Sequence, residues 1–228
     1  MPAYEEARSI EGTLDSIVSH LAGKPYGFEV IVAADGKDGT RTRALERAGS
    51  DGRILVTGSV ARRGKGRAVR EAVAIARGCL IGYMDADGKA SVEELEKLRP
   101  WLEAGWDLAV GSRALPESRI EGRRRLYRRL GSAVFAALVR GLLGLREVRD
   151  TQCGLKLFRR EVARDLFAAQ RIDGYMFDVE LLCLASARGY RVREVPIRWR
   201  ADEDSRLELI GGSFRILADL LRIRAGLR

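Results

Sequence analysis

Four short apolar runs, each set off by a stretch of helical periodicity, constrain this chain more than any other feature. They are residues 28–34 (FEVIVAA), 53–57 (RILVT), 79–84 (CLIGYM) and 107–111 (DLAVG). Helical spacing of apolar residues falls between and around them, over residues 9–21, 40–48, 66–76 and 92–103. Strands this short and apolar are buried on both faces. Alternated with helices, they predict a Rossmann-like, mostly parallel sheet with helices on both faces. Ligands bind such sheets in the crevice at the carboxyl ends of the strands, so the turns that close the strands are where chemistry is expected.

Two of those turns are acidic. The first is Asp35-Gly36-Lys37-Asp38-Gly39-Thr40, after FEVIVAA; the second is Asp85-Ala86-Asp87-Gly88, after CLIGYM. Two carboxylates spaced two apart on a turn that ends a buried strand make an oxygen-rich corner. That chemistry suits a hard divalent cation, Mg²⁺ or Mn²⁺, which would neutralise a departing diphosphate. The same pattern also occurs as an ordinary solvated turn, and its place after the most apolar strand favours the functional reading. A third element, Arg63-Gly64-Lys65-Gly66-Arg67, precedes a helix, where bare backbone and a helix N-terminus favour an anion. It is neither a P-loop nor a dinucleotide fingerprint, and a flexible basic turn is the plainer alternative.

The rest of the composition excludes several chemistries. His20 is the only histidine and lies on an amphipathic helix, which leaves little room for histidine-based metal or triad catalysis. Cys79, Cys153 and Cys183 are scattered with no CxxC, so reduced, mostly buried thiols are expected. No run of roughly 18 uncharged apolar residues occurs, and the N-terminus has no basic start followed by an apolar stretch. The chain is therefore expected to stay in the cytoplasm.

The second half has a different character. The formal net charge is +9, and residues 113–149 hold ten arginines against Glu117, Glu121 and Glu147, a local +7. Residues 123–145 read as one helical stretch that is basic first and apolar later. Residues 160–168 and 177–188 read as helices, 190–199 as a half-buried strand, and 212–227 as a basic amphipathic helix. Arginines beside an apolar helical face describe helices lying in a lipid headgroup layer, or a buried helix with a solvated basic end. The patch calls for an anionic partner. A nucleic-acid-binding protein is the non-enzyme alternative; with few interleaved aromatics and no helix-turn-helix or zinc pattern, no nucleic acid is expected.

In order along the chain stand Pro2-Ala3-Tyr4-Glu5-Glu6, DGKDGT, GKG, DADG, Gly111-Ser112-Arg113, the segment DTQCGLKLF (150–158), FDVELL (177–182) and EVPIRW (194–199). This series resembles family 2 glycosyltransferases, and among them the dolichyl-phosphate glucosyltransferases, over nearly the whole chain. The resemblance implies a GT-A fold over residues 1–228, with a nucleotide-sugar half (1–112) and an acceptor half facing the membrane (113–228). It implies inverting transfer of glucose from UDP-glucose to a polyprenyl or dolichyl phosphate, by a peripheral enzyme at the cytoplasmic membrane face in contact with anionic lipid. It implies that Pro2, Tyr4 and Glu6 line the nucleotide pocket and that Asp35 holds base or ribose. Lys65 approaches the diphosphate, Asp85 and Ala86 lie at the donor, and Asp85 with Asp87 ligates the metal. Arg113 with Arg125, Arg128 and Arg129 is then expected at the acceptor phosphate, Arg113 also in catalysis. Asp178 lies in a family motif without an assigned role. GDP-mannose as donor, or a soluble acceptor, are the alternatives within the class.

A lipid phosphate suits this residue set. Its second pKa is about 6, so it attacks without a strong general base, and catalysis becomes positioning and charge stabilisation. Two departures stand out. The residue after PAY is usually Asn and here is Glu5, and the acidic turn DGKDGT is one residue shorter than is usual. Family members also begin with a longer apolar strand ending in PAY. With Met1 as its last residue before PAY, exposed apolar surface and unpaired backbone are expected there.

Overall fold

Val30–Asp35 is buried at every position, as a strand covered on both faces must be. In the computed structural model it forms β2, at the centre of a parallel three-stranded sheet. Residues 1–49, 51–122, 126–145, 147–201 and 211–226 are described, without the side chains of 126–130, 132–134 and 211–215. The elements run β1 (Pro2–Tyr4), α1 (Ile10–Ala22), β2, α2 (Thr40–Ala48), β3 (Ile54–Thr57), α3 (Lys65–Ile75), β4 (Leu80–Met84), α4 (Val92–Glu96), α5 (Arg99–Glu103) and β5 (Leu108–Ser112). They continue β6 (Arg119–Glu121), α6 (Leu126–Leu143), β7 (Leu155–Arg159), α7 (Arg160–Ala169), α8 (Phe177–Ala187), β8 (Val192–Pro196), β9 (Arg198–Arg200) and α9 (Gly211–Gly226).

The strands bond in the orders β1-β2-β3, β4-β7-β5-β8 and β6-β9. All pairs are parallel except those of β7, which runs antiparallel between β4 and β5. β7 and β8, from the second half of the chain, thus share a sheet with β4 and β5 from the first. One apolar cluster joins the two larger sheets, with Ala3, Val32, Met84, Ala109 and Leu155 among its members.

The four expected strands and most helices form within a few residues of their predicted bounds. Residues 92–103 divide into α4 and α5 instead of one helix. Pro100 has no amide to donate to Glu96, so the helix cannot run through. β7 is a strand the sequence pattern did not reveal, because Lys156 interrupts its apolar run.

At the N-terminus PAY itself is the strand, paired with Ala33, Ala34 and Asp35. Met1 is buried and its amine donates to the Ile31 carbonyl at 2.7 Å. The ladder is nonetheless divided: among the described residues β1 bonds only to β2.

Candidate active site

The β4 strand delivers Asp85 and Asp87 to a tight turn whose shape is held from three sides. The Thr13 hydroxyl of α1 donates to the Ala86 carbonyl at 3.1 Å. Gly88 takes a left-handed φ of 65° to reverse the chain, and the Lys89 amide donates to Asp87 Oδ1 at 3.1 Å. Behind the turn, the Arg200 guanidinium donates to the Gly88 carbonyl at 3.2 Å. Each carboxylate meets one lysine: Asp85 Oδ1 lies 2.7 Å from Lys65 Nζ, and Asp87 Oδ2 lies 3.0 Å from Lys89 Nζ. Burial pushes the Lys65 ammonium towards neutrality, but the charges of Asp85 and Asp178 outweigh it and raise its pKa.

Asp85, Asp87, Ala90, Cys153, Gly154, Leu155 and Trp199 line one pocket. Gly154 is the residue on which it turns. A Cβ there would fall 2.1 Å from Asp85 Oδ2, so only glycine lets the DTQCG turn cradle that carboxylate. Burial, then the charge of Asp150, pushes the Cys153 thiol up to about 12, which leaves it a protonated wall of the pocket.

The other predicted donor residues gather around the ends of β1 and β2. Pro2 and Tyr4 pair across to Ala33 and Asp35, and the Arg62 guanidinium lies 4.3 Å from the centre of the Tyr4 ring. Glu6 donates its amide to Thr40 Oγ1 at 2.9 Å and accepts from the Ser9 hydroxyl at 2.7 Å. Asp35 is buried, and its carboxylate accepts from the amides of Ser59 and Arg63 at 2.9 and 3.0 Å. Glu5, the position usually held by Asn, has φ 56°, the only left-handed non-glycine among the described residues. Asn tolerates that region better than Glu.

The GKG turn does not offer its helix N-terminus to an anion. The amides of Gly66 and Arg67 both donate to the Asp173 carbonyl, at 2.8 and 3.3 Å. Gly64 and Gly66 are needed for that docking, since a Cβ on either would strike the backbone of Asp173 or Ile172. What reaches Asp85 is the Lys65 side chain.

Arg113 leaves the end of β5 and forks onto Asp150, with Nε to Oδ2 at 2.7 Å and Nη2 to Oδ1 at 2.8 Å. Burial opposes the arginine's charge, and Asp150 more than restores it, raising the guanidinium pKa. In return Asp150, which burial pushes up, is held below the usual carboxylate range by Arg113. The Arg113 guanidinium also lies 5.4 Å from the Trp199 ring, and Lys89 Nζ 5.8 Å from the same ring. Trp199 therefore lies beside both Lys89 and the predicted acceptor arginine. Arg125 lies outside the described residues, as do the side chains of Arg128 and Arg129. Sequence reasoning gave no role to Gly154, Asp150, Lys89 or Trp199, although the first two stand in the quoted DTQCG motif.

An α/β sheet with a DxD turn at a strand's carboxyl end, two lysines on its carboxylates and a glycine-cradled pocket defines a GT-A glycosyltransferase. Glucosyl-3-phosphoglycerate synthase from Mycobacterium tuberculosis, solved with Mn²⁺, UDP-glucose and phosphoglyceric acid, shares the fold. Its TM-score is 0.72 at 23% identity, over 98% of this chain and 78% of that one. Dolichyl-phosphate beta-glucosyltransferases of Trichomonas vaginalis and Homo sapiens are similar in sequence, both at 35% identity. The first covers 100% of this chain and 71% of the relative, the second 98% and 73%. The model of glycosyl transferase family 2 matches residues 1–167, and the chain belongs to that family.

Proposed function

We propose that this glycosyltransferase moves glucose from UDP-glucose to a polyprenyl phosphate, with inversion, using a divalent cation held at Asp85 and Asp87. The observation that carries the reading is the Asp85–Gly154 cradle beside Lys65. It presents an accessible carboxylate and a cation at one point of a strand-end crevice. The donor set fits Mg²⁺ or Mn²⁺. The oxygens are hard, and among the described residues no third His, Cys, Asp or Glu joins them, which leaves places for diphosphate oxygens and water. A bound cation would stabilise the leaving diphosphate.

The chain's own residues do the rest. Lys65, paired with Asp85, would neutralise diphosphate charge. Pro2, Tyr4, Glu6, Asp35 and Ala86 shape the nucleotide side. Arg113, aided by Arg125, Arg128 and Arg129, holds the acceptor phosphate for in-line attack on the anomeric carbon. Asp150 takes the Nε–Nη2 edge of Arg113, and the Nη1 side is the one that would meet phosphate. Residues 1–112 then carry most of the donor site, with Gly154 and Trp199 added to it from the acceptor half, 113–228.

The lipid acceptor also draws support from the surface. Among the described residues no helix is long and apolar enough to cross a membrane. Leu138 on α6 and Leu217 and Leu221 on α9 are exposed, beside the arginine-rich segment 113–149. Such helices lie in a headgroup layer, here the cytoplasmic face, with anionic lipid as contact. The test is competition between labelled UDP-glucose and GDP-mannose for a short polyprenyl phosphate with Mn²⁺. Preferential transfer from UDP-glucose is expected; preference for GDP-mannose, or transfer only to a water-soluble acceptor, would overturn it.

A further inference from the structure

Beneath the metal turn lies a buried ionic group that the proposed reaction does not use. Lys156 in β7 has no exposed surface, and Asp178 in the first turn of α8 is buried. Lys156 Nζ donates to Asp178 Oδ1 and, at 2.8 Å, to the Cys153 carbonyl. Tyr83 stands opposite Lys156 in the β4–β7 ladder and donates its hydroxyl to the same Asp178 oxygen. Taking two charges out of water is costly, and apolar residues of equal volume often hold such a core as well or better. Stability alone therefore does not account for the group.

Its placement does. Tyr83 is two residues before Asp85 on the same strand. Cys153, whose carbonyl Lys156 holds, is followed by Gly154, the cradle of the Asp85 carboxylate. On the remaining side Lys65, the ion-pair partner of Asp85, rests 5.8 Å from the ring of Phe177, the neighbour of Asp178. The end of β4 is thus bonded to Asp178 directly, the DTQCG turn is tied to it through Lys156, and the GKG lysine rests beside its neighbour Phe177.

We propose that Asp178, with Lys156 and Tyr83, is a positioning unit that sets where the Asp85 carboxylate sits and so tunes affinity for the metal-bound donor diphosphate. This rests on the donor-site reading above. The test is calorimetric titration of the full chain with UDP and Mn²⁺, beside thermal melts. A Tyr83→Phe/Lys156→Met/Asp178→Leu variant keeps the volume and removes the polar group. It is expected to melt at or above the parent temperature yet to bind Mn²⁺ and UDP at least about tenfold more weakly. Tyr83→Phe alone removes one hydrogen bond and is expected to weaken binding about threefold. Parent-like binding by a folded triple variant overturns the inference. Should that variant not fold, parent-like binding by Tyr83→Phe overturns it. If the parent itself binds no UDP with Mn²⁺, the donor reading falls and the inference with it.

Discussion

Asp35 and Asp85 both stand at the carboxyl end of a strand, yet the structure treats them oppositely. Asp35 is 5% exposed, and backbone amides from the loop after β3 satisfy both its oxygens. The Asp85 side chain is 39% exposed and leans on a glycine and a lysine. A carboxylate bonded by two amides holds a loop in place; an accessible one paired with a single ammonium can exchange that partner for a ligand. Asp38 and Asp87 each accept the amide two residues further on, and of the two Asp87 lines the pocket and pairs with a lysine. Position at a strand end is thus shared, and local donors decide what each acid can do.

The sharpest way to break this contrast is to remove charge without volume. Asp87→Asn is expected to lower turnover roughly a thousandfold or more, the scale of lost metal-ion stabilisation. Its melting temperature should stay near the parent's. Near-parent turnover, or a large loss of stability, would contradict the assignment.

Arg113 tests the opposite side of the pocket. Arg113→Ala leaves Asp150 buried without its counter-ion and is expected to cost about 3–5 kcal/mol of stability in denaturant unfolding. Its activity loss therefore cannot be read alone. Arg113→Lys keeps the charge without the fork, and acceptor KM should rise more than donor KM. Because Asp150 is held below its unfolded value, the pair's stabilisation is complete above the usual carboxylate range and lost as pH falls through the lower folded value. Acid unfolding of Arg113→Ala should lack that component.

For Asp35 the expectation is reversed from Asp87. Asp35→Asn gives up one acceptor at the Ser59–Arg63 loop, at a cost of about 1–3 kcal/mol. Turnover at saturating UDP-glucose should stay within a few-fold. A loss as deep as that of Asp87→Asn, with stability intact, would place Asp35 among the reacting groups. Smaller still is Glu5→Asn, which should stabilise the fold by roughly 0.5–1 kcal/mol by relieving a left-handed backbone. Least of all in energy, native protein should react with a thiol reagent at Cys79 only, since Cys153 and Cys183 are buried and pushed up to about 12. Three reactive thiols are expected after unfolding.

Much of this was legible in the sequence, and for a physical reason. Buried parallel strands require continuous apolar runs, and the turns that follow them must carry the polar chemistry, so both signals are local. The strand β7 was hidden because a lysine sits at its centre. That lysine is tolerable only through Asp178, 22 residues further on, a pairing no local pattern contains. The role of Gly154 was hidden for a similar reason. Its need to be glycine is set by Asp85, 69 positions earlier in the chain, and not by its own backbone angle. For the GKG turn the sequence offered an anion site beside the plainer reading of a flexible basic turn; in the structure its glycines make room for the Asp173 segment to dock, which neither reading contains.

Transfer of labelled glucose from UDP-glucose into the organic phase by the purified chain, with a short polyprenyl phosphate, bears most directly on the account. The assay is run with Mn²⁺ and again with EDTA. Label should partition with the lipid when Mn²⁺ is present, disappear with EDTA, and be absent with Asp87→Asn under both conditions. Transfer that persists in EDTA, or that survives Asp87→Asn, would contradict the assignment of Asp85 and Asp87 as the metal and diphosphate site.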